Sequence, residues 1–172
     1  MLLHKYGGMW TGLSRVEQPR AGGYYAAMAV RIRRLRKADI ATIFDINALL
    51  MQLWKEPSKD KGSVSELRTI LNDKNTILIV AQDGKRIVGM GTLYIVVRIG
   101  KRSGHIEDVV VDSAYRGQGL GSKIMRSLIT AARAKKVTAL HLTSRPARVA
   151  GNKLYQKLGF EKKETNVYRL KL

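Results

Sequence analysis

Apolar and polar residues alternate along this chain in blocks whose period changes, and the changes mark its elements. "AVRIRRL", from Ala29, alternates with the two-residue period of a strand. In "ADIATIFDINALLMQLW" apolar residues recur at helical spacing: Ile40, Ile43, Phe44, Leu50 and Leu53, with Ile46 partly off the stripe. Pro57 and the "KEPSKDKG" stretch then break the chain. Ser63 and Glu66 make a capping box that opens a short helix to about Asn72. "TILIVAQ" and "KRIVGMGTLYIVV" read as strands flanking Asp83-Gly84, the two-residue loop of a hairpin. "IGKRSG" is a second turn, leading into the strand "HIEDVVV". Leu120, Ile124, Leu128 and Ala131 form the buried stripe of a later helix. "ALHLTS" reads as a strand, "ARVAGNKLYQKL" as a helix stopped at Gly159, and "NVYRLKL" as a closing strand. The order β-α-α-β-β-β-α-β-α-β, with a short extra strand near Phe160 as an option, predicts one mixed α/β domain over residues 28–172.

Residues 1–27 carry no sustained period, contain two Gly pairs and have no apolar run of secretory length. They are expected to form a flexible N-terminal extension, with Met28 as an alternative initiator. The full length of 172 residues suffices for one buried core and leaves no room for a second domain of ordinary size. No apolar run approaches the roughly 18 residues that a membrane span needs, so a cytoplasmic protein without membrane contact is expected. Cysteine is absent, which excludes disulfides, thiolate metal sites and a cysteine nucleophile. The three histidines, His4, His105 and His141, lack ligand spacing, and no metal is expected. Net charge is +19; Lys5, Arg15 and Arg20 against Glu17 place only +2 of it in residues 1–27. The domain is therefore strongly basic, which suits anionic ligands but does not by itself separate them from a merely solvated surface.

Between the strand "HIEDVVV" and the helix at Leu120 the chain reads "DSAYRGQGLGSK". Three glycines occupy alternate positions (Gly117, Gly119, Gly121), flanked by Arg116 and Lys123. Unpaired N–H groups at a helix N-terminus attract phosphate, and glycine lets an anion approach the backbone without meeting a Cβ. The spacing is neither the Rossmann G-x-G-x-x-G nor a P-loop, so the glycines alone leave an ordinary flexible loop open.

The segment "VVVDSAYRGQGLGSKI", followed one strand later by "NKLYQKLGF", resembles the GNAT acetyltransferases, and the resemblance covers roughly residues 29–172. "IEDVVVDSAYRGQGLGS" is particularly similar to the polyamine, glucosamine-6-phosphate and aminoalkylphosphonate N-acetyltransferases. The resemblance implies a single mixed, mostly antiparallel central sheet flanked by helices, with a bulged central strand splayed from "ALHLTS" to open a V-shaped cleft. It implies acetyl-CoA as co-substrate. Its pyrophosphate would lie on Arg116, Gly117, Gln118, Gly119, Leu120, Gly121 and Ser122. Its pantetheine arm would run along the backbone of Val109, Val110 and Val111, and Asn152 would contribute from the later helix.

By position, Glu107 matches the general base of the polyamine enzymes and Tyr155 the general acid for the CoA thiolate. A phenol with a pKa near 10 stays protonated at neutral pH and can still donate to a developing thiolate. Glu107 and Asp108 are adjacent, so alternation sends their side chains to opposite faces, and only one reaches a given substrate directly. Asp108 is the alternative base. The helix departs from the usual N-x-x-A-x-x-L-Y pattern, with Arg148 in place of Asn and Gly151 in place of Ala. Leu50, Met51 and Trp54 would face inward from the first helix, either toward the acceptor pocket or into the core; His105 and His141 are read as structural.

The acceptor that the resemblance implies is a primary amine on a small molecule or protein. Glu56, Asp60 and Glu66 would suit a polyamine, and the overall basicity an anionic acceptor. A homodimer is compatible with the sequence, and no specific nucleic acid is expected. The competing reading is a non-catalytic acyl-CoA-binding or nucleic-acid-associated basic module, which would need neither Glu107 nor Tyr155.

Overall fold

Residues 30–54 and 61–170 are described by the structure, a computed structural model. The expectations for residues 1–27 and for most of the "KEPSKDKG" stretch lie outside the described residues. Strands β1 (Arg31–Arg34), β2 (Thr76–Asp83), β3 (Arg86–Arg98), β4 (Lys101–Val111) and β5 (Ala139–His141) form one sheet in that order. All neighbours are antiparallel except β4 and β5, which run parallel. Helices α1 (Ile40–Leu53) and α2 (Val64–Asn72) precede β2, α3 (Leu120–Ala134) joins β4 to β5, and α4 (Val149–Lys157) follows β5.

Strand β2 is buried on both faces, which is why "TILIVAQ" reads as a continuous apolar run. Ile77, Ile79 and Ala81 meet Ile124 and Leu128 of α3, whereas Leu78 and Val80 meet Ile46 and Leu49 of α1. The sheet thus separates two apolar layers. Asp39 caps α1, its carboxylate accepting from the Thr42 N–H at 2.9 Å, and the Ser63–Glu66 capping box opens α2 as expected.

Several boundaries differ from the sequence pattern. Asp83 pairs with Arg86, so the first hairpin loop is Gly84-Lys85, one residue later than read. Ile40 and Phe44, placed on the buried stripe of α1, are 80% and 74% exposed, and the inward residues are Ile46 and Leu49. Ile43, Leu50 and Leu53 pack partly buried beside them, so only the Ile40–Phe44 edge of the apolar stripe turns to solvent. No closing strand forms at residues 166–170, and none near Phe160. Val167, Tyr168 and Leu170 are exposed there. Alternation fits a segment for pairing, but a strand exists only where a neighbour supplies hydrogen bonds. Among the described residues no helix is long and apolar enough to cross a membrane.

Candidate active site

Strand β4 carries one residue too many for its neighbour. Met90 pairs with Val110 and Thr92 with Glu107, so a two-residue step on β3 spans three residues on β4. The surplus makes a bulge at Asp108-Val109 and holds Asp108 at φ 54°, in the left-handed region that Asp tolerates better than most residues. This overturns the simple alternation expected for Glu107 and Asp108. Glu107 and Asp108 border the same opening.

Pairing between β4 and β5 ends at His105 and His141, whose rings face each other with centroids 5.4 Å apart. Beyond that point the β5-facing edge of Ile106–Val111 has no strand partner among the described residues. The gap is a cleft of about 490 Å³ bordered by Trp54, Glu107, Asp108, Val109, Arg148 and Tyr155, among others. A smaller, mostly apolar cavity of about 190 Å³ lies on the α1–α2 side, and Asp108 borders it too. Leu50 lines that cavity, Trp54 lines the cleft, and Met51 is exposed.

The cleft shifts the proton affinity of its groups. Partial desolvation in the cleft raises Glu107 from its ordinary value; the Asp108 charge adds to this and His105 opposes it. Burial also raises Asp108, against the pull of the Arg148 guanidinium. The Tyr155 phenol is raised by burial, lowered in part by Arg148 and raised again by Glu107. Arg148, Gly151 and Tyr155 share one face of α4, at helical spacing. Tyr155 also stands edge-on to Phe160.

The glycine loop is anchored before it begins. The buried Asp112 carboxylate accepts from Arg86 at 2.8 Å and from the Ala114 N–H at 3.0 Å, while the Tyr115 hydroxyl donates to Asp83 at 2.8 Å. Gly117 and Gly119 then adopt φ 79° and 74°, and a Cβ on either would meet nothing within 4 Å. Gly119 caps α3 without a side-chain hydrogen bond, and the first bond into the helix runs from the Lys123 N–H to the Gly119 carbonyl. The N–H groups of Leu120, Gly121 and Ser122 therefore lack a backbone partner among the described residues, beside open space. That donor set fits a pyrophosphate. Gly121 differs: its φ is not positive, and a Cβ there would rest in ordinary contact, 3.4 Å from Leu154 of α4.

Other expected contacts have structural engagements. The Arg116 Nε donates to the Val111 carbonyl at 3.1 Å. The Asn152 amide donates to the carbonyls of Arg145 and Pro146, closing the turn before α4. Val110 and Leu120 are buried, and Gln118 is exposed. Arg148 is the cleft group that the sequence pattern did not assign; its departure from the family motif was the available signal. Among the described residues no cluster of three His, Asp or Glu side chains is arranged to hold a metal ion.

The acetyltransferase (GNAT) family model matches residues 43–160. This chain belongs to that family. It is 32% identical over 160 residues to glucosamine 6-phosphate N-acetyltransferase 1 of Oryza sativa subsp. japonica, covering 88% of this chain and 92% of the relative. A Trypanosoma brucei acetyltransferase of known structure superposes with a TM-score of 0.66 at 30% identity, covering 83% of this chain and 99% of that one. Glucosamine-6-phosphate N-acetyltransferase from Arabidopsis thaliana superposes with a TM-score of 0.66 at 25% identity, over 82% of this chain and 97% of that one. The GNAT protein described here is an acyltransferase, an acetyl-CoA-dependent N-acetyltransferase, and the reading as a non-catalytic module gives way.

Proposed function

We propose that this chain moves the acetyl group of acetyl-CoA to the amine of glucosamine 6-phosphate, with Glu107 as base and Tyr155 as acid. The observation that carries the chemistry is the shared cleft, bordered by Glu107, Asp108 and Tyr155. The acceptor rests on the relatives, several of which are named glucosamine 6-phosphate N-acetyltransferases, and it suits a chain of net charge +19. The amine nitrogen bonds to the thioester carbonyl carbon while Glu107 accepts the amine proton, directly or through water. The C–S bond breaks, sulfur leaves with the electron pair, and the Tyr155 hydroxyl supplies its proton. Backbone N–H near Val109 steadies the carbonyl oxygen as charge develops on it. A raised Glu107 holds its proton more tightly than an ordinary carboxylate, which brings it closer to the amine it serves.

Free-thiol release from acetyl-CoA, measured with glucosamine 6-phosphate, glucosamine, spermidine and a lysine peptide, tests the acceptor. Glucosamine 6-phosphate is expected to exceed glucosamine in kcat/KM by about a hundredfold, the equivalent of ~2.7 kcal/mol for the phosphate contacts. Faster turnover of spermidine or the peptide would overturn the acceptor and leave the transferase chemistry standing.

A further inference from the structure

The cleft contains a cation that the reaction as written does not use. Arg148 is the N-cap residue of α4, and its Nη2 donates to the Leu53 carbonyl at 2.8 Å. That carbonyl belongs to the last turn of α1, where no intrahelical donor is available. One guanidinium therefore bridges the arm built from β4 and α1 to the arm built from β5 and α4. The same guanidinium borders the cleft with Asp108, Glu107 and Tyr155.

We infer that Arg148 is a positioning residue: it ties the two arms at the cleft and sets a positive charge beside Asp108 and Tyr155, acting on acetyl transfer through Tyr155 and through Asp108, the charged neighbour of the Glu107 base. The Tyr155 half of this rests on the acid role proposed above. An arginine suits both tasks. Its planar fork spends one N–H on the carbonyl and keeps others for the cleft, and it stays charged when half-buried.

The neighbours fix the direction of the effect. Asp108 is faced by Glu107 on its own strand, by Arg148 from α4, by Tyr94 from β3 and, across the smaller cavity, by Glu66 from α2. Tyr155 is faced by Arg148 on its own helix and by Glu107 from β4. α1 and its C-cap bring the Leu53 carbonyl and the Trp54 ring to the cleft and Asn47 to the smaller cavity, and Arg145, before α4, borders the cleft as well. Arg148 is thus the positive group that both Asp108 and Tyr155 experience, and it opposes burial at each. Removing it favours the protonated form of both.

The test compares Arg148→Gln with Arg148→Lys in the full chain. The Asp108 carboxyl is followed by carbon NMR against pH, its signal assigned with Asp108→Asn. Its midpoint is expected to rise by about one pH unit in Arg148→Gln and to stay near the parent in Arg148→Lys, which keeps the charge. In turnover, Arg148→Gln is expected to lower kcat at least tenfold with KM for acetyl-CoA within threefold, and to move both limbs of the pH profile upward. A folded Arg148→Gln with an unmoved Asp108 midpoint would overturn the inference, whatever its melting temperature, because a purely structural tie leaves the titration alone. If Arg148→Gln does not fold, an Asp108 midpoint in Arg148→Lys displaced as far as one unit would overturn it instead. The titration needs no acceptor, so a failure of glucosamine 6-phosphate to react leaves this result readable.

Discussion

The two arms of the cleft are built to different standards. Strand β4 is held to β3 through nine register pairs but to β5 through three. Helix α3, which covers the β4 arm, buries five residues, among them Ile124, Met125 and Leu128; α4 on the other arm buries none. The firm arm carries Glu107, Asp108 and the glycine loop. The loose arm carries Tyr155 and Arg148. In the proposed reaction, a long co-substrate needs its anion-binding loop preorganised, which suits the firm arm, whereas the proposed proton donor Tyr155 sits on the arm with fewer buried contacts.

Breaking the firm arm at its ligand surface should have the largest effect. Gly119→Val would force a branched side chain into φ 74° and into the open space above the loop. Acetyl-CoA affinity is expected to fall by more than about a hundredfold in a folded protein, since the pyrophosphate loses both room and donors. Calorimetric titration giving near-parent affinity would remove the loop from the binding site.

On the loose arm, Tyr155→Phe is expected to keep acetyl-CoA affinity and lose about 10²-fold in turnover, the scale of a missing general acid. Glu107→Gln should also slow transfer, but raising the pH should partly restore it, because more of the amine is then already neutral. In the parent, activity should decline as pH falls through a Glu107 midpoint raised from the ordinary Glu value. Pre-steady-state rates against pH separate these behaviours; equal pH responses in the two variants would sink the division of labour between the arms.

The seam between the arms is sensitive for a different reason. Gly104 lies where β4 meets β5, and a Cβ there would come within 2.6 Å of Leu140 and 2.7 Å of Leu93. Gly104→Ala should cost about 1–3 kcal/mol through overpacking, read from urea denaturation. A variant as stable as the parent would show that the loose arm gives way without penalty.

The bulge itself offers a smaller, opposite effect. Asp108 sits at φ 54° with its charged form disfavoured by burial. Its folded proton affinity exceeds the unfolded one, so its penalty is absent below the ordinary Asp range and complete above the raised midpoint. Asp108→Asn should therefore stabilise the fold at neutral pH, with the gain fading as pH falls toward 3.8, the ordinary value for Asp. Melting curves at pH 7 and pH 4 check the sign. Smallest of all, Gly151→Ala should raise helix stability by up to ~1 kcal/mol. Its Cβ would rest at an ordinary 3.7 Å from the Tyr155 ring, so turnover should hold. Lost turnover would show that the space beside the Tyr155 hydroxyl is used.

The elements that the sequence alone determined are those whose signal is local. The capping box at Ser63 and Glu66, the stop at Gly159 with φ 87° and the α3 stripe of Leu120, Ile124 and Leu128 each depend on neighbours within a turn or two of chain. The glycine loop was legible for the same reason: a positive φ and a free helix N-terminus are properties of a short segment. Tertiary structure decided the rest. Whether "NVYRLKL" becomes a strand depends on a partner edge that its own residues do not encode. Glu107 and Asp108 share a cleft because β3 offers one residue fewer than β4 needs, a mismatch visible only when two distant segments pair. Arg148 meets the Leu53 carbonyl from 95 positions away. Periodicity describes which face a residue is given by its own element, and only packing between elements determines what stands opposite it.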